Sequence, residues 1–197
     1  MLIGIDLDNT IAIYDQAFIK YAEKLLGIKG YKNKVEIANH LRNGNKGSDW
    51  TYLQGEVYGK YMFEATVAEQ FLETLTHPGL IGFQIEIVSH RTKNPSSGAG
   101  YDMHAIANEW LYANIFSVLK TSRNIPVYFF ETFEEKLRFI ALKNYVAFVD
   151  DLCDVLMSPN FPASTKGILY KSKDTVDQFQ GSYSEMDAWS NLIKLLK

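Results

Sequence analysis

Short apolar runs separated by polar turns set the rhythm of this chain. Leu2 to Ile5, Phe83 to Val88, Val127 to Phe130 and Val146 to Val149 are each brief and apolar on both faces or nearly so, and Gly167 to Tyr170 is a weaker fifth run. Continuous apolar runs of this length predict strands of a parallel sheet covered on both sides. Between them the apolar spacing changes to that of a helix. Tyr101 to Lys120 carries Ile106, Trp110, Ile115 and Leu119, and Thr132 to Lys143 carries Phe133, Leu137, Ile140 and Ala141. Thr132 followed by Glu135 fits a capping box. A further amphipathic helix is predicted for Ser184 to Leu196. Strands alternating with helices predict a doubly wound α/β fold with right-handed crossovers.

The interval from Thr10 to Phe83 does not fit a simple crossover, because it holds no convincing strand and is too long for a structureless loop. Ala17 to Leu26 reads as a helix with Phe18, Tyr21, Ala22, Leu25 and Leu26 on one face. Val35 to Leu41 reads as a second, and Trp50 to Leu75 as one or two more. The predicted organisation is an α/β core of residues 1–14 and 76–197 with an inserted α-helical module at 15–75. Residues 94–100, NPSSGAG, read as a mobile loop.

Composition narrows the function classes. Of 197 residues, 47% are hydrophobic and 22% charged, ordinary for a folded protein, and the net charge is −3. No basic footprint for nucleic acid is present, and no Lys/Arg-rich tract argues for a membrane surface. Cys153 is the sole cysteine, so neither an intrachain disulfide nor a cysteine-rich zinc site is available. The N-terminus lacks the basic region and long apolar stretch of a signal peptide, and no apolar run approaches the ~20 residues that span a bilayer. A cytoplasmic protein with neither nucleic-acid nor membrane partners is expected.

In open α/β sheets ligands bind beyond the carboxyl ends of the strands. The first strand is followed by Asp6-Leu7-Asp8-Asn9-Thr10, the second by Ser89-His90-Arg91-Thr92, and the fourth by Asp150-Asp151 and then Asp154. Lys136 begins the preceding helix, fourteen residues ahead of Asp150. Carboxylates gathered at one sheet edge repel one another unless a cation binds them. Hard oxygen ligands without a His or Cys cluster favour magnesium. A carboxylate attacks a phosphoryl group only when the charge is neutralised, which Mg²⁺ and Lys136 can supply. Of Asp6 and Asp8, two apart, one can attack while the other handles the proton. Ser89 and nearby amides can hold phosphate oxygens.

These four elements, DLDNT after an apolar strand, a Ser after a second, a Lys, and a DD after a later strand, resemble the signature of the haloacid dehalogenase superfamily. The resemblance covers residues 1–14 and 80–171 and implies a Rossmann-like core. It implies Asp6 as the nucleophile that becomes an aspartyl-phosphate and Asp8 as the general acid and base, its backbone carbonyl also meeting the metal. Ser89 and Lys136 would hold the phosphate, with Asn9 and His90 as further phosphate contacts. Asp150 and Asp151 would complete the magnesium site with Asp6 and Asp8. The second Asp points to phosphoryl transfer, since dehalogenases of the superfamily lack it. The insertion matches the cap often placed between the first two motifs. Two departures stand out: Asn9 occupies a place where many members have Gly, and the lysine lies close to the DD, which leaves Lys143 as a substitute for Lys136.

Plain structural readings stand beside these. Lys136 alone reads as a solvated helix residue, Asp154 as a first-turn carboxylate favoured by the helix dipole, and Cys153 as a buried structural residue. Either His90 or Arg91 reaches substrate or merely shapes the loop. Trp50, Gln54 and Tyr58 read either as the packing of the inserted module or as a lid surface that contacts the leaving group. The function expected is Mg²⁺-dependent hydrolysis of a small phosphorylated metabolite, a sugar phosphate or a nucleotide. A sugar-phosphate mutase and a non-catalytic binding module that kept the pocket are the alternatives.

Overall fold

A computed structural model describes residues 1–119, 124–171 and 181–197. Six strands form one sheet: β1 (Leu2–Ile5), β4 (Gln84–His90), β5 (Val127–Phe130), β6 (Ala147–Asp150), β7 (Lys166–Tyr170) and β8 (Ser184–Met186), in the order β5-β4-β1-β6-β7-β8. Every neighbouring pair is parallel. β2 (Ala12–Ile13) and β3 (Thr66–Val67) make a separate two-stranded sheet. The helices are α1 (Asp15–Leu26), α2 (Lys34–Asn43), α3 (Gly47–Tyr58), α4 (Phe71–Thr76), α5 (Met103–Leu111), α6 (Ser117–Leu119), α7 (Phe133–Lys143), α8 (Cys153–Leu156) and α9 (Leu192–Leu195). A π-helical turn, Tyr112–Phe116, joins α5 to α6.

Contacts divide the chain into two compact units, residues Met1–Ala12, Val67–Arg91 and Leu119–Lys197 in the first, Ile13–Thr66 and Thr92–Val118 in the second. This division departs from boundaries at 14/15 and 75/76 in three places. Ile13–Tyr14 and Thr92–Val118 join the helical unit, and Val67–Leu75 joins the sheet unit.

In the sheet unit, β1 lies between β4 and β6, and the direction of winding reverses there. Such a switch point leaves a crevice at the strand ends. Ile5 pairs with Ile87 on one side and Val149 on the other, and the amide of Asp6 still donates to the Val149 carbonyl at 2.9 Å. The segments that leave β1, β4 and β6 therefore emerge side by side. One face of the sheet packs Val88, Phe148 and Leu169 against Leu137 and Ile140 of α7 and Val155 and Leu156 of α8. Gly4 makes this closeness possible: a Cβ there would stand 2.4 Å from the Phe148 ring. α7 starts where its sequence predicts, with Thr132 accepting from the Glu135 amide and Glu135 accepting from the Thr132 amide.

The helical unit contains α1, α2, α3 and α5. Tyr14, Phe18, Trp50 and Tyr58 pack together there, with Phe18 stacked on Trp50 at 5.3 Å between centroids. Trp110 of α5 donates its indole N–H to the Ala65 carbonyl at 3.1 Å. Residues 94–100, expected to be a mobile loop, are irregular but seated on α3. A Cβ on Gly55 would lie 2.7 Å from the Ser97 carbonyl oxygen and 2.9 Å from Pro95.

Two expectations about helices are corrected. Ser184 to Leu196 is not one helix: Ser184–Met186 adds the sixth strand beside β7, Trp189–Asn191 is a 3₁₀ turn, and only Leu192–Leu195 is α-helical. The predicted Tyr101 to Lys120 helix begins at Met103, after Asp102 accepts from the Ala105 amide, and its end at Lys120 lies outside the described residues. Among the described residues, no helix is long and apolar enough to cross a membrane.

Candidate active site

Asp6 leaves β1 directly into the crevice, and the chain then turns sharply. Asn9 adopts φ +59°, its amide donates to the Ala12 carbonyl at 2.7 Å, and the Ile11 and Ala12 amides both return to the Leu7 carbonyl. A left-handed residue at this point explains why glycine suits it, and why asparagine, the side chain that best tolerates that region, can replace glycine. The Thr10 hydroxyl, fully buried, donates to Asp6 Oδ2 at 3.5 Å.

Lys136, in the first turn of α7, is buried and aimed inward. Its Nζ donates to Asp6 Oδ1 at 2.6 Å and to Asp150 Oδ2 at 2.7 Å. The other oxygen of Asp150 accepts from the Leu152 amide at 2.9 Å. Asp6, Asp150 and Asp151 each offer an oxygen within 4.8 Å of the others. Lys136 ion-pairs with two of these three carboxylates, and Asp6, Asp150 and the ammonium are buried. Burial raises the Asp6 carboxyl well above its ordinary range; Lys136 pulls it back, while Asp150, Asp151 and Asp8 push it up again. Lys136 moves oppositely to what burial alone would do: Asp150 and Asp6 outweigh the desolvation and hold the ammonium above its ordinary value.

Asp8 has a cation of its own. Arg91 directly follows β4 and its amide still donates to the Phe130 carbonyl, so Ser89 and Arg91, two apart on an extended run, share a face. The Ser89 hydroxyl donates to Asp8 Oδ2 at 3.3 Å. Arg91 donates through Nε to Oδ2 at 3.2 Å and through Nη2 to Oδ1, a two-toothed ion pair with the arginine side chain 2% exposed. The same alternation puts His90 on the opposite face of the strand, exposed, with its ring 6.4 Å from Phe133. Of the two residues beside Ser89, Arg91 and not His90 reaches the DxD segment.

Lys143 pairs instead with Glu86, at 2.8 Å, outside the cluster. Asp154 is exposed in the first turn of α8, and burial pushes the neighbouring Cys153 thiol up. In the helical unit, Trp50 is buried and stacked on Phe18 with Arg42 over its ring, Tyr58 is half-buried against Tyr14 and Phe18, and Gln54 is half-buried on α3.

No protein-family profile matches the chain, and no curated protein matches it. Solved structures do. A dehalogenase aligns at 11% identity over 98% of this chain and 96% of its own, with a TM-score of 0.57, and a dehalogenase with intermediate complex gives the same values. A haloacid dehalogenase-like family hydrolase from Xanthomonas campestris aligns at 12% identity over 100% of this chain and 94% of its own, with a TM-score of 0.51. Identities this low speak to the backbone alone, and the backbone agrees over almost the full length of each: this chain has the haloacid dehalogenase-like fold.

Proposed function

We propose that the protein is a magnesium-dependent phosphomonoester hydrolase that works through an aspartyl-phosphate on Asp6. The observation that carries this reading is the carboxylate cluster at the strand ends: Asp6, Asp150 and Asp151 each offer an oxygen within 4.8 Å of the others, and Lys136 pairs with Asp6 and Asp150. Carboxylates gathered this closely repel one another and an anionic phosphoester, and a small dication held by hard oxygens offsets that charge. Asp6, Asp150 and Asp151 would hold it. Bound there, it supplies charge neutralisation for the phosphoryl oxygens.

The chain's own groups divide the remaining work. Asp6 attacks phosphorus, forming an acyl phosphate as the ester P–O bond breaks. Lys136 stabilises the charge on the transferring group and holds the attacking carboxylate in one orientation, itself anchored by Asp150. Asp8 delivers a proton to the departing alkoxide and then takes one from the water that cleaves the acyl phosphate. Ser89 steadies the phosphate oxygens. The substrate is a small phosphorylated metabolite, and the helical unit acts as the cap that selects it. Because Trp50 is part of that unit's packing, Gln54 is the first residue to replace when specificity is tested.

A panel of metabolite phosphates, assayed for released inorganic phosphate with Mg²⁺ and after exhaustive chelation, tests the proposal. Turnover that depends on the added cation is expected. Undiminished turnover after chelation, or no phosphate released from any member, rejects it.

A further inference from the structure

We infer that Arg91 is a positioning residue for the proposed phosphoryl transfer, acting on the substrate only through Asp8; this rests on the hydrolase reading above. Asp8 sits on a turn beyond the sheet, where a short side chain has rotamers that would carry its carboxylate away from Asp6. Arg91 removes that freedom. Its guanidinium meets both oxygens of Asp8 through two different nitrogens, and a planar fork of that kind fixes the carboxylate plane as well as its distance. The arginine is itself held: it is buried, it directly follows β4, and its amide donates to the Phe130 carbonyl of β5 at 3.0 Å. Ser89 adds a third contact from the same strand face.

The two carboxylates of the DxD segment thus have separate cations from separate parts of the chain, Lys136 of α7 for Asp6 and Arg91, just past β4, for Asp8. One orients the attacking oxygen and the other the proton-carrying group. Lysine in place of Arg91 would keep the charge but meet one oxygen at a time, leaving Asp8 free to rotate. A displacement of about 1 Å in a catalytic group can lower rate 10²-fold.

The experiment is a cycle of kcat and KM with Arg91→Lys, Asp8→Asn and the double variant, using alkyl and aryl phosphates of differing leaving-group basicity. Arg91→Lys should lower kcat roughly 10- to 100-fold on alkyl phosphates and much less on an activated aryl phosphate. KM and inhibition by inorganic phosphate should stay unchanged, and Arg91→Lys should have no further effect once Asp8 is Asn. Guanidinium added to Arg91→Ala should restore part of the loss. If Arg91→Lys does not fold, Asp8→Asn with Arg91→Met buries no lone charge, and its kcat should equal that of Asp8→Asn alone. Weakened phosphate inhibition, an additive double variant, or wild-type kcat in Arg91→Lys would each overturn the inference and leave the hydrolase reading standing. A wild-type protein that releases no phosphate from any ester would instead overturn both.

Discussion

At the scale of single residues, Asp6, the nucleophile of the proposed mechanism, is held at the expense of stability. Its carboxyl, buried and surrounded by three other carboxylates, ionises reluctantly even with Lys136 at 2.6 Å. The sign for stability follows from linkage. With a folded-state pKa raised above the unfolded value near ~3.9, the folded, metal-free protein retains a proton that the unfolded chain has lost, so this group's contribution falls as pH rises through that window. Asp6→Asn removes the penalty and leaves Lys136 its Asp150 partner. In chelator, Asp6→Asn should melt higher than wild type at pH 7, and the difference should shrink as pH falls towards 4. Its turnover should drop by several orders of magnitude, since an amide is no nucleophile towards phosphorus. Thermal melts across pH and a rate measurement check both; a variant that melts lower at pH 7 and keeps its turnover contradicts the assignment.

Among whole elements, α3 sets two effects against each other. Gly55 lies inside the helix, where alanine is favoured by about 1 kcal/mol on propensity alone. Yet a Cβ at that point would stand 2.7 Å from a backbone oxygen, that of Ser97, which no side-chain rotation can relieve. Forcing a methyl into a closed contact costs typically ~1–3 kcal/mol, so packing should win over propensity. Gly55→Ala is expected to lose about 1–2 kcal/mol in chemical denaturation, and cleavage in residues 94–100 by a protease should speed up. A stabilised variant with an unchanged cleavage rate would show that the loop does not sit on the helix in solution.

The elements also show what the sequence could reveal. Short continuous apolar runs locate five strands of the sheet, and the Thr132–Glu135 pair locates the start of α7. β8 was missed because Ser184–Met186 runs straight into a helically spaced tail, and three residues cannot display a period of two. β2 and β3 are shorter still. Residues 94–100 read as loose because their composition is that of a loop; the glycine that receives them, Gly55, belongs to another segment. Arg91 was legible in principle, since positions 89 and 91 of one extended run share a face, whereas adjacency in sequence favours His90 only on paper. That Thr92–Val118 packs with α1 to α3 depends on tertiary contacts that chain order does not encode.

For the molecule as a whole, the proposed cation site would tie fold stability to the ion. A ligand that binds the folded state alone stabilises by RT ln(1 + [L]/Kd), about 2.7 kcal/mol at a hundredfold excess over Kd. Magnesium should therefore raise Tm in wild type progressively with concentration, and Asp151→Asn should blunt the rise. A Tm indifferent to magnesium between micromolar and tens of millimolar would speak against any cation at these carboxylates.

The cluster has a consequence for how the chain reaches its folded state. Asp6 and the lysine that meets it are separated by 130 positions, and Asp150 approaches Asp6 only once β6 has paired with β1. Closing so long a loop is among the last entropic debts of folding, and contacts of such high order belong to slow, late steps. A folding chain consequently has nothing to offer a dication until its central strands are already in register. Magnesium should then leave the refolding arm of a chevron plot where it was and lower the unfolding arm, because interactions absent from the transition state appear only in the rate of leaving the native basin. A refolding rate that climbs with magnesium would mean the carboxylates assemble early. Otherwise the ion is a latch: it takes no part in building the sheet, and once the sheet exists it decides how long the sheet lasts.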